Sequence, residues 1–141
     1  CTGVTLLELI VAVAIIGILA SIAVPAFDNQ IKNSRLVSNT NLVVGAVSIA
    51  RSEAINRGVQ VILTAGGNGW IVKEVVSGTE ISRFEPDDSG ITWSPSTFPD
   101  VTFEPTGFRP NLSAVVTIKL TDDRSKSKTI SISAAGSTDV E

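Results

Sequence analysis

Val4-Thr5-Leu6-Leu7-Glu8-Leu9-Ile10 opens a run that continues as VAVAIIGILASIAVPAF to Phe27. From Leu9 to Phe27 no side chain is charged and only Ser21 is polar. As a helix rising about 1.5 Å per residue, those residues span roughly 28 Å, close to the thickness of a bilayer's hydrocarbon core. One acid, Glu8, stands at the front of the run. A lone carboxylate at that depth is costly unless it finds a partner. The rest of the chain follows as cargo carried by this segment.

The chain has 141 residues, room for one modest domain behind the apolar run. Much of the Ile, Leu and Val is spent before residue 28, which leaves a polar, Ser/Thr/Gly-rich domain with a small core. The net charge is −3, which argues against general nucleic-acid affinity, because a phosphate backbone demands a basic footprint. There is no His, and the one Cys is Cys1. His/Cys metal ligation, His-based triads and disulfides within the chain are excluded. Ser and Thr are plentiful, but without His they have no ordinary base and no acid pair is marked out. No enzyme and no cofactor is expected.

Behind Pro25 the pattern turns amphipathic. Leu36, Thr40, Val43, Val47, Ala50 and Ala54 recur at three- and four-residue spacings, with Asn33, Arg35, Asn41, Ser48 and Arg51 on the other face. Asn56-Arg57-Gly58 marks the stop. The spacing predicts one helix from Thr5 to Arg57, about 80 Å long at the same rise. Pro25 is its kink candidate. A retained membrane anchor is favoured over a discarded secretory signal, since AVPAFDNQ continues the helical pattern.

From Val59 the period becomes two. Strands are expected at Val59 to Leu63, Trp70 to Val75, Glu80 to Phe84, Ile91 to Trp93, Val101 to Glu104, Ala114 to Thr121 and Thr129 to Ser133, with turns at 65–69, 85–90, 105–107 and 122–126. One long helix and then only strands gives an α+β fold, an antiparallel β-sheet domain packed on the helix's second half. The divisions are 1–3, 4–27 for the spanning helix, 28–58 for its amphipathic half, and 59–141 for the β-sheet domain.

Gly3-Val4-Thr5-Leu6-Leu7-Glu8-Leu9 resembles the processing signal of type IV pilins and pseudopilins, and Ala23-Val24-Pro25-Ala26-Phe27 resembles their helix-kink segment. The resemblance implies that a prepilin peptidase cuts between Gly3 and Val4, leaving Cys1-Thr2-Gly3 as leader remnant. Val4 is then N-methylated and Glu8 becomes the fifth mature residue. Thr5, Glu8 and Pro25 are the implied assembly residues. A new amine at Val4 and the Glu8 carboxylate of a neighbouring copy are each expensive alone in lipid and largely neutralise one another as a pair. The plainer reading of Glu8 is an interfacial acid of a single-pass anchor.

Ala50-Arg51-Ser52-Glu53-Ala54-Ile55-Asn56-Arg57-Gly58, Gly69-Trp70 and Phe103-Glu104-Pro105-Thr106-Gly107 are similar to the GspH/FimT branch of minor pilins. Arg51, Glu53 and Arg57 are expected to form a solvated helix end with a charge network rather than a ligand site. Trp70 and Trp93 are expected as core or sheet-face residues rather than a stacking platform. Some members of that branch bind DNA through a basic tail after a Gly, but here the tail is Gly136-Ser137-Thr138-Asp139-Val140-Glu141. The remaining phosphate-contact candidates are Arg124, Lys126 and Lys128, alternating with Ser. Asp87, Asp88 and Asp100 lack calcium-loop spacing.

The expected function is a structural filament subunit, anchored in the bacterial inner membrane and polymerised by helix packing with Glu8 setting register. The expected partners are other pilin or pseudopilin subunits, membrane lipid, the prepilin peptidase, and an assembly platform with its ATPase. The destination is a cell-surface pilus or a periplasmic pseudopilus. Four readings stay open: a minor pilin serving initiation, adhesion or DNA uptake; a pseudopilin of type II secretion; a main subunit; and a membrane-anchored binding module that never polymerises.

Overall fold

The computed structural model describes the chain except residues 1–4, 68, 87–89, 97 and 111–114. Helix α1 runs Leu6–Arg57. Thr5 caps it: its Oγ1 accepts the Glu8 N–H at 3.2 Å, and its carbonyl accepts the Leu9 N–H at 3.2 Å. Thr5-x-x-Glu8 is the sequence of a capping box, and an acid in the first turn also suits the positive end of the helix dipole. The stop falls where the sequence puts it, with the Gly58 N–H donating to the Ala54 carbonyl at 3.1 Å. Pro25 lies within the helix.

Two compact units divide inside α1, Cys1–Ser34 and Arg35–Glu141. In the first, every residue from Thr5 to Ile31 is exposed. The local ties are the Ser21 hydroxyl donating to the Ile18 carbonyl at 2.7 Å and an Asp28–Lys32 pair at 3.0 Å, one turn apart. Such exposed pairs add only about 0.3–0.5 kcal/mol.

In the second unit α1 buries Leu36, Asn39, Thr40, Val43, Ala46, Val47, Ala50 and Ala54. The expected stripe is all there, and Asn39 and Ala46 widen it. Thr40 is satisfied locally by donating its hydroxyl to the Leu36 carbonyl at 2.7 Å. Small side chains at 46, 50 and 54 lie in the buried face. Asn41 and Ser48 are exposed as expected, but Arg51 is half-buried.

Among the described residues eight strands follow: β1 Val61–Gly66, β2 Gly69–Glu74, β3 Glu80–Phe84, β4 Ile91–Ser94, β5 Val101–Phe103, β6 Val116–Asp122, β7 Ser127–Ile132 and β8 Thr138–Val140. They form two four-stranded antiparallel sheets rather than one, in the orders β3-β2-β1-β5 and β4-β6-β7-β8. The chain switches sheets three times: β4 leaves the first sheet to pair with β6, β5 returns to β1, and β6 goes back to the second sheet. β1 starts two residues late and absorbs Ala65 and Gly66, so its turn to β2 is shorter than expected. β8 was not expected. Its only apolar residue is Val140, and it pairs with β7 because the Ser133–Ser137 turn folds it back, with the Ser133 N–H donating to the Ser137 carbonyl at 2.9 Å.

Alternation decides the core. Val61 and Leu63 of β1, Val72 of β2, Val101 and Phe103 of β5, Ile118 and Leu120 of β6, and Ile130 and Ile132 of β7 are essentially sealed from water. They join the α1 stripe in one cluster. Each such side chain contributes about 1.5–3 kcal/mol of transfer free energy, so this cluster is what holds the second unit together.

Candidate functional site

Every large apolar side chain from Leu6 to Phe27 is at least 50% exposed. The segment is long and apolar enough to cross a membrane by length and composition. Burying each of these side chains gains about 1.5–3 kcal/mol, whereas an acid in the spanning region costs roughly 2.5–3.5 kcal/mol on insertion scales. The apolar drive therefore far outweighs Glu8. An exposed apolar surface of this extent marks contact with lipid or with other protein. Thr5 and Glu8 lie together in the first turn, joined by the cap. Pro25 lies farther along the same helix. Gly3 and Val4, the residues of the expected cleavage, lie outside the described residues.

At the far end of α1 three separated stretches meet. The Glu104–Phe108 turn is closed by the Gly107 N–H donating to the Glu104 carbonyl and the Glu104 N–H donating to the Phe108 carbonyl, both at 2.8 Å. It is tied to the β7–β8 turn by the Arg109 N–H donating to the Ala134 carbonyl at 3.0 Å. Arg51 runs between the two turns. A Cβ on Gly107 would lie 2.7 Å from Ile55 Cδ1 and 3.3 Å from Arg51 Nε. A Cβ on Gly136 would lie 2.8 Å from Phe103 Cε1 and 3.2 Å from Arg51 Cδ. Both glycines also have positive φ, 79° and 74°, where side chains are strained. Arg51 Nε is buried with no hydrogen-bond partner among the described residues.

This corrects the expected charge network. Arg57 takes Glu53 at 2.6 Å and Glu74 at 3.2 Å, and Arg51 stands apart from both. Glu74 also accepts the Ser77 hydroxyl at 2.6 Å, so the helix end is tied to the β2–β3 turn. The Ser77 bond and the Arg57 bond hold the Glu74 carboxyl below its ordinary pKa. Arg109 was missed by sequence reasoning. It is buried, its Nη1 donates to the Ile132 carbonyl at 3.3 Å, and burial lowers its pKa. Nothing in Phe108-Arg109-Pro110 signals an inward guanidinium.

Arg124, Lys126 and Lys128 are not presented as three equivalent bases. Arg124 turns back on Asp122, donating from Nη2 at 2.6 Å and Nε at 2.9 Å. The same carboxylate accepts the backbone N–H of Arg124 at 3.0 Å and of Lys126 at 2.8 Å. Burial pushes the Asp122 carboxyl up, but these bonds together hold it below its ordinary value. Lys126 is exposed before β7, and Lys128 is half-buried within it. Of the loop acids, Asp100 accepts the Thr64 hydroxyl at 2.5 Å, and Asp87 and Asp88 lie outside the described residues. Trp70 is buried, and its ring meets Trp93 edge-on at 4.9 Å.

Residues 39–136 match the family described as Type II transport protein GspH. The chain belongs to the GspH family of type IV pilin-like proteins. Residues 1–24 match the Prokaryotic N-terminal methylation motif. The chain is similar to the Type IV major fimbrial protein FimA of Dichelobacter nodosus, 36% identical over 93 residues, which are 64% of this chain and 59% of that protein. It is also similar to Fimbrial protein EcpC of Eikenella corrodens, 23% identical over 137 residues, 76% of this chain and 90% of that protein. Its fold is that of the type IV minor pilin FimU of Pseudomonas aeruginosa, with a TM-score of 0.64 at 18% identity, covering 77% of this chain and 90% of that one. Members of the GspH family with this fold are structural subunits of pili or pseudopili, not enzymes, and they assemble with other pilin subunits.

Proposed function

We propose that this GspH-family chain is a minor subunit of a type IV pilus or pilus-like filament, held in the inner membrane until it is extruded. The observation that carries the proposal is the exposed apolar surface of α1 from Leu6 to Phe27, with a single acid in its capped first turn. In the membrane that face meets lipid, and in the filament it meets the same face of other copies. Glu8 sets the axial register by pairing with the Val4 amine of a neighbour. Lateral slippage would strand both charges in an apolar layer, so the pair selects one stagger. Pro25 gives the helix a place to bend where it leaves the packed layer. A prepilin peptidase supplies the amine by cutting between Gly3 and Val4 and methylating it. An inner-membrane platform with its ATPase drives extrusion, and residues 59–141 face outward, first into the periplasm.

Cells expressing the chain, sheared and fractionated, test this. The account expects the chain in the filament fraction, with an N-terminal peptide whose mass is that of N-methylated Val4. A chain confined to the membrane fraction would instead be a non-polymerising anchored module.

A pseudopilin of type II secretion is the second reading, favoured by the match over residues 39–136. Deleting the gene separates the two: loss of surface pili supports the first, and loss of a secreted enzyme with pili intact supports the second. DNA uptake has the least support, since Arg124 is occupied by Asp122 and the tail after Gly136 carries Asp139 and Glu141.

A further inference from the structure

The chain has two tryptophans and no tyrosine, and both tryptophans sit at one place. Trp70 lies at the start of β2, next to Gly69, in the first sheet, and Trp93 lies in β4 of the second. Their ring centroids are 4.9 Å apart at 77°, and Phe98 lies 5.1 Å from Trp70 at 54°. Beside them is a cavity of about 370 Å³, also lined by Pro86, Pro95 and Ser96. That volume falls within the range of small-ligand sites, roughly 300–1,000 Å³.

The chemistry of the lining restricts the ligand. Among the described residues no charged side chain lines the cavity. Trp93 and Phe98 each pack on Trp70, so the rings line the cavity as one apolar surface. Neither indole N–H is hydrogen-bonded to another described residue, and Trp93 is only half-buried. Ser96 adds an exposed hydroxyl. The ligand therefore needs an apolar face for the rings and polar groups at its edge that accept hydrogen bonds.

We propose that this inter-sheet cavity is a binding site for a neutral sugar, a pyranose whose C–H face lies on Trp93 or Phe98 and whose hydroxyls meet the indole N–H groups and Ser96. In an assembled filament it would give the outer domain a weak glycan contact that acts through many copies.

The full chain in a detergent without a sugar headgroup provides the test, because all tryptophan emission comes from this site. The probes are glucose, galactose, N-acetylglucosamine and cellobiose, with glucuronate and a proline-rich peptide for comparison. At least one neutral sugar should change the emission saturably at millimolar concentration. Trp93→Ala, read through Trp70, should weaken that binding about tenfold or more, and Trp93→Phe should hold it within about threefold. Ser96→Leu, at an exposed position that the fold tolerates, should block the cavity and abolish the change. The proposal is overturned by no saturable change with any neutral sugar or by equal responses in Ser96→Leu. It is also overturned by glucuronate binding as well as neutral sugars, or by a response to the peptide alone.

Discussion

Arg51 Cδ stands 3.2 Å from the point where a Cβ on Gly136 would lie, although the two residues are far apart in sequence. The end of the helix, the Glu104–Phe108 turn and the β7–β8 turn are locked at this place. Gly136→Ala should therefore do more than stiffen a loop. The positive φ alone costs about 1–2 kcal/mol, and the crowding against Phe103 and the Gly107 carbonyl adds to it. Thermal unfolding of the domain should fall by about 10 °C or more, given about 4–8 °C per kcal/mol for a domain near this size. An unchanged midpoint would show that the turn relaxes freely.

Arg51→Met should separate the stem of Arg51 from its head. The stem packs between the two turns, while Nε is buried without a partner among the described residues, an arrangement that costs roughly 1–3 kcal/mol. Met keeps the packing and removes the orphan donor, so the midpoint should hold or rise. Arg51→Ala loses the stem and should lower it. Calorimetry on both variants checks the pair.

Asp122 should make the domain sensitive to acid. Its folded pKa is depressed below the unfolded value of about 3.9 by Arg124 and by the Arg124 and Lys126 N–H groups. That contribution is present above the unfolded pKa and is lost as pH falls through the folded one. The midpoint should therefore drop as pH falls through the unfolded value toward the lower folded one, and Asp122→Asn should flatten that drop while lowering stability at pH 7. Parallel pH titrations of melting check the sign.

The helix was legible because its signals are local. Leu36 to Ala54 keeps one face at helical spacing, and Arg57-Gly58 ends it. Strand alternation likewise placed β2, β3 and β6 to within a residue or two at most ends. The division into two sheets was hidden because it depends on partners far apart in sequence: Ser94 pairs with Lys119, but Val101 pairs with Leu63. β8 was hidden because Thr138-Asp139-Val140 carries almost no apolar pattern. Among the candidate residues, Thr5 and Glu8 stood out as a motif, and their capping bond gives the motif a local purpose as well. Arg51 and Arg109 were misread or missed because charge suggests the surface, and only the fold shows a guanidinium drawn inward.

Glu8 carries the central claim. The direct measurement is the amount of a Glu8→Ala chain in sheared filaments, made in cells that also supply the wild-type chain and normalised to the membrane fraction. The variant should reach the membrane at wild-type level, since its apolar segment is intact, and should be absent from the filaments. Incorporation of the variant at the wild-type ratio would contradict the role of Glu8 in setting register.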